Sequence, residues 1–303
     1  MLMGVSECLI DIVSNRKAAL PYDIVYNHIV DICNSKNTDA INQLTSIVNK
    51  ALQTLTTLTR QRLTVEPTLV NLRDNYVQFS NTLTLLRNIL LPFDRVSKTA
   101  PVVQSAYSLF REQIIGGSLQ VVINSLTRLI NDLRQSLYES SAVVASIVNM
   151  LYDCNCQDAF QKELLASTSD YYSHAVESMI GGTLEEYIIS AKRMLDKEER
   201  ISATHYPLIK NDTIAFCEKE LMLEPLPLLT LQKAKELRVF IAEKKSEMIT
   251  LFVELCQRVK QESEAQRVLI DAVISIGKEC CGEKDDLQMM RRIFELYMYL
   301  SSL

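Results

Sequence analysis

Tryptophan is absent, and glycine and proline occur only seven times each in 303 residues. Those two residues punctuate turns and sheet corners, so their scarcity argues against a many-stranded sandwich or barrel and for a few long elements. Histidine is nearly as rare. His28, His174 and His205 lie far apart in sequence, none with a partner at metal-ligand spacing. Structural zinc sites ask for two Cys-x-x-Cys pairs or their His equivalents, and neither Cys154-x-Cys156 nor Cys280-Cys281 has that form. Gly116-Gly117 and Gly181-Gly182 lack the Lys and Ser/Thr of a phosphate loop. No nucleophile elbow or kinase signature occurs either. No metal, no cofactor and no catalytic residue is therefore expected. The acid pairs Glu185-Glu186 and Glu198-Glu199 read as solvated faces of charged helices.

Also missing is a basic run. The net charge is −5 and the sequence pI about 5.4, with Lys and Arg interspersed among acids as in Lys192 to Arg200. Nucleic-acid partners call for a basic face, so none is expected. No stretch approaches the roughly 18 apolar residues of a membrane span, and no secretory signal pattern is visible. The eight cysteines sit mostly inside apolar helical patterns, which suits free buried thiols in a reducing compartment, cytoplasmic or nuclear.

What remains is 48% hydrophobic and 23% charged, enough to bury a large core. The clearest pattern is Leu119, Val122, Ile123, Leu126, Leu129, Ile130 and Leu133, one apolar stripe at helical spacing. A second is Met248, Leu251, Phe252, Leu255 and Val259. Between them, Gly181-Gly182 suit a left-handed helix cap, and Thr183 with Glu186 forms a capping-box pattern for the next helix. Earlier in the chain, a break near Pro21 separates two helices, and a third covers 39–66. Pro67 opens a helix from Thr68 to about Leu91, which Pro92 should kink or end. Pro101 opens a long helical region to Leu137 with a bend at Gly116-Gly117. Pro225 and Pro227 bound a turn, and Gly277 and Gly282 flank a break. The fold class is all-α, a stack of multi-helix repeats, divided as 1–138, 139–282 and the start of a third unit at 283–303.

Several segments, in order, resemble the N-terminal half of a cullin, the helical scaffold of modular ubiquitin ligases. Tyr22-Asp-Ile-Val25-Tyr26-Asn27 is similar to the Tyr-x-x-x-Tyr segment of the family's second helix. Arg87 to Val96 resembles the end of its fifth helix, and Tyr107 to Ile114 the segment after it. Phe160 to Tyr172 resembles a Phe-x-x-x-Leu-Leu-x-x-Thr-x-x-Tyr-Tyr element, and Glu186-Tyr187-Ile188, Ala191, Leu195, Glu198 and Arg200 the helix that follows. The sequence departs at Pro92, where relatives that bind BTB domains carry an aromatic or other helix-forming residue.

The resemblance implies stacked five-helix cullin repeats and a non-catalytic scaffold that grips a BTB-fold adaptor. The BTB-domain class is favoured over the Skp or elongin classes by the Arg-x-Ile-Leu-x-x-x-Asp-Arg-Val run. The adaptor-binding residues it implies are Tyr22, Val25 and Tyr26 on the second helix, with Leu86, Ile89, Leu90, Phe93 and Val96 facing them. It further implies that this region does not bind the RING-box protein and lacks the C-terminal domain that does. If the adaptor reading holds, Tyr22, Tyr26 and Phe93 should form one exposed aromatic patch. The alternative from another class is a vesicle-tethering rod of the exocyst type, which usually carries a basic membrane-binding patch not seen here.

Overall fold

The computed structural model describes residues 1–16, 18, 20–63, 68–136 and 141–281. Pro67, Gly282, the expected boundary at 138/139 and the expected third unit at 283–303 lie outside the described residues, as do the side chains of Cys280 and Cys281. Among the described residues all regular structure is helical.

The order is α1 (Leu2–Val13), α2 (Tyr22–Asn34), α3 (Thr38–Arg62), α4 (Leu69–Val96) and α5 (Val102–Phe110). A π-helical turn, Arg111–Ile115, extends α5, and α6 (Leu119–Gln135) and α7 (Ala142–Asp153) follow. Then come α8 (Gln157–Met179), α9 (Leu184–His205), α10 (Lys210–Glu218) and α11 (Leu226–Gln232). The last described elements are α12 (Ala234–Ala242), α13 (Ser246–Arg258) and α14 (Glu262–Cys281). The chain forms two compact units, one from 1–130 with 141–161, the other from 131–140 with 162–303. In the first, α2 packs on α4, α1 on α3, and α4 on α5 and α7. Its centre includes Phe79 and Phe110, whose rings meet edge-on with centroids 4.7 Å apart. In the second, α9 packs on α10 and α13, and α14 on α12 and α13.

Local chemistry explains most boundaries. Asn37 caps α3, its Oδ1 accepting from the Asp39 and Ala40 amides at 3.0 and 3.2 Å. Thr183 and Glu186 make the expected capping box in full. The stripe on α6 is buried at Val122, Ile123, Leu126, Ile130 and Leu133. Helix stops are handled differently from expectation. No described glycine has a positive φ, Gly181 and Gly182 included; the left-handed positions after α1, α2, α7, α12 and α13 belong to Asn15, Lys36, Asn155, Lys244 and Lys260. Asn and Lys thus take a job that usually falls to glycine, which is how so few glycines suffice. Gly182 has another reason to lack a side chain. A Cβ there would stand 3.1 Å from Glu186 Oε2, inside the capping box.

The expected proline and glycine breaks take a different form. Pro92, expected to kink or end α4, does not end it, and the helix runs on to Val96. The buried Pro92 forfeits its amide bond, and the buried residues Ile89, Leu90 and Phe93 on either side hold the helix together across the gap. Gly277 lies inside α14 and marks no break. Pro225 and Pro227 sit at the N-terminal end of α11, where a missing N–H costs nothing.

Candidate adaptor interface on the second and fourth helices

Pro21 stands immediately before α2 with φ −57° and ψ 145°, and Asp23 adds a negative charge to the positive end of the helix. Val25, Ile29, Ile32 and Cys33 form its inner face. Tyr22 and Tyr26 are four apart and share one flank of the helix. Tyr22 is 47% exposed and Tyr26 half-buried, while Ile24 is exposed on the other side.

The C-terminal end of α4 is different. Leu86, Ile89 and Leu90 are buried, and Phe93 is only 2% exposed. The single exposed patch of Tyr22, Tyr26 and Phe93 is therefore not formed, because Phe93 is spent on the chain's own core. Val25 is likewise fully enclosed. Of the eight residues expected at the interface, Tyr22 and Val96 offer exposed surface, Val96 at 40%. Leu85, Ile89, Pro92 and Val96 follow one another at helical spacing on one flank, exposed at its two ends, and Leu91 is exposed beside them. The structure also shifts the helix count. Arg87 to Val96 closes the fourth helix, and the fifth begins at Val102.

The α4–α5 corner carries a contact that spacing did not reveal. Asp94 accepts the Val102 amide at 3.0 Å, so a side chain on α4 satisfies the start of α5 from eight residues away. Within the corner, Ser97 Oγ accepts from the Thr99 amide at 3.1 Å. A hydroxyl and a carboxylate flanking a Pro-led helix are the signal that could have found it.

Among the described residues no three His, Cys, Asp or Glu side chains gather as metal ligands. The six described cysteines are buried and free. Burial pushes the Cys256 thiol up to about 12 and raises Cys8, Cys33, Cys154, Cys156 and Cys217 as well, which keeps them protonated and unreactive. No described helix is long and apolar enough to cross a membrane.

One charged group expected on the surface is inside. Glu198 has no exposed surface and forms a two-pronged ion pair with Arg134, Nε and Nη2 each donating at 2.8 Å. Tyr172 and Tyr206 donate to the same carboxylate at 2.8 and 2.9 Å. Arg134 also donates to Thr168 and to Asn131, both at 2.7 Å, and lies 5.4 and 5.5 Å from the ring centres of Tyr171 and Tyr172. Burial pushes the Glu198 carboxyl up, but the Arg134 charge and the hydrogen bonds outweigh it and hold the group below its ordinary range. Burial also raises Tyr172 and Tyr206, with Glu198 adding to it. Every oxygen of the carboxylate is satisfied, so the cluster holds helices together and is not poised for proton transfer. The signal was present. Glu198 occupies the inner stripe of α9 with Leu184, Tyr187, Ala191, Leu195 and Ser202, all buried.

Compared with known proteins, the chain matches the family model of the cullin alpha solenoid domain over residues 4–303. No curated protein matches it.

Proposed function

The chain belongs to the cullin family, and on that premise we propose that it is a scaffold region whose first unit holds a BTB-fold substrate adaptor. Cullins are scaffolds that bind adaptors, so the match over residues 4–303 carries the general reading. Support for the location comes from Tyr22. It is a large aromatic, 47% exposed at the start of a helix whose inner face is fully committed to its own unit. Tyr brings much contact area at low entropic cost and is favoured at the centres of interfaces. Tyr26 on the same flank, and Val96 with Leu85 and Leu91 on α4, extend the apolar surface available on these two helices. Val25, Leu86, Ile89, Leu90 and Phe93 act from beneath, fixing the backbone that presents it. The BTB class is favoured over Skp or elongin adaptors by the Arg87 to Val96 run, and ubiquitin-ligase assembly is the setting.

The test is calorimetric titration of the purified chain against one BTB-domain, one Skp-type and one elongin-type adaptor. The expected result is micromolar or tighter binding to the BTB domain alone, weakened by about 2 kcal/mol or more in Tyr22→Ala/Tyr26→Ala. Binding that survives the double substitution would move the interface elsewhere. Absence of binding to all three would sink the adaptor reading.

A further inference from the structure

The second unit contains a cavity of about 260 Å³ walled by Arg134, Gln135, Ser136, Tyr171, Tyr172, Arg193, Met194 and Lys197. Its wall has three cations and, among the described residues, no carboxylate, in a chain whose net charge is −5. Arg193 and Lys197 are four apart on α9 and so stand side by side, where like charges repel and an anion relieves the repulsion. Lys197 Nζ bonds the Ser136 carbonyl, which orients it and leaves two of its N–H groups to donate. Arg134 is deep in the wall. Its charge is matched by Glu198, but a guanidinium has five N–H groups and the hydrogen bonds to Glu198, Asn131 and Thr168 use four. The remaining Nη1 N–H and the Tyr171 hydroxyl have no acceptor among the described residues.

We propose that this cavity binds a phosphate group, through the charges of Arg193 and Lys197 and the hydrogen-bond donors of Arg134 and Tyr171. The chemistry is that of a multivalent oxyanion acceptor, for which charged N–H donors are the strong partners. The cavity has room for a phosphate and the side chain that would carry it. It lies in the second unit, and the proposed adaptor surface belongs to the first.

The test is titration calorimetry of the whole chain at about 0.15 M salt, where exposed charges alone are largely screened. The probes are inorganic phosphate and a short phosphoserine peptide, run against wild type, Arg193→Gln and Lys197→Gln. Both Arg193 and Lys197 reach solvent, so the two variants should keep the wild-type melting temperature. Saturable single-site binding, weakened about tenfold or more by either substitution, is expected. Equal affinity for both probes assigns the site to free phosphate, and tighter binding of the peptide assigns it to a phosphorylated protein. Lack of saturable binding by either probe, or binding indifferent to Arg193→Gln and Lys197→Gln, would overturn the proposal.

Discussion

Replacing Arg134 with Met removes one half of the buried ion pair and keeps an unbranched apolar stem in its place. Glu198 would be left with the hydroxyls of Tyr172 and Tyr206 and no countercharge, in a place with no exposed surface. Stranding one member of a buried pair costs about 3–5 kcal/mol. For a unit of this size that corresponds to a fall of roughly 6–20 °C in its melting temperature. The pH dependence should also reverse. In the wild type the Glu198 pKa is depressed by Arg134, so its stabilisation is full above the unfolded value, about 4.3, and is lost as pH falls through the lower folded value. In Arg134→Met burial dominates and the folded pKa rises above the unfolded one. The variant's carboxyl then favours folding at low pH and costs stability as pH climbs through the raised folded value. Adding Glu198→Gln to Arg134→Met should restore much of the loss at pH 7, because the neutral amide needs no countercharge. Hydrogen exchange of the α9 amides reads the second unit directly. A loss under about 1 kcal/mol at pH 7, or a variant that weakens with acid as the wild type does, would refute the account of the pair.

Other outcomes follow from the same contacts. Phe93→Ala should cost about 3–5 kcal/mol by emptying a buried aromatic site, whereas Tyr22→Ala should change stability by under about 1 kcal/mol while weakening adaptor; urea titrations beside the calorimetry separate the two. Thr183→Ala breaks the capping box of α9 and should cost about 1 kcal/mol, measured by chemical denaturation. Lys36→Gly removes a Cβ from a left-handed position at φ 52° and should stabilise the protein by about 0.5–1 kcal/mol, visible as a higher denaturation midpoint.

Helix existence was legible because it depends on a repeated signal. The α6 stripe repeats its apolar residues over four turns, and a single misplaced residue could not hide it. Helix ends depend on one residue each and were less legible. Thr183 with Glu186 was readable, since the pair satisfies two amides through side chains whose chemistry is specific. Lys36 and Lys260 were not, because nothing in a lysine marks it for a left-handed backbone. Pro92 misled for the complementary reason. Its local penalty is real, but α4 gains more from keeping Phe93 and Leu90 in the core than it loses at one amide.

The candidate site was legible in its helices and misread in its side chains. Leu86, Leu90 and Phe93 were expected at an interface because they are large and apolar, yet the same property takes such residues into their own core first. Glu198 was expected in water because it is charged, yet it sits on the buried stripe of α9 and finds Arg134 there. In both cases the position on the helix decided the outcome and the residue type only set its energy. An inner-face position pulls in whatever residue occupies it, so a carboxylate there must have a buried cation within reach. An outer or terminal position leaves even a tyrosine in water, and a large apolar surface left there is free to meet another protein. Tyr22 meets that description by its place at the start of α2, and Phe93, buried on the inner face of the last turn of α4, does not.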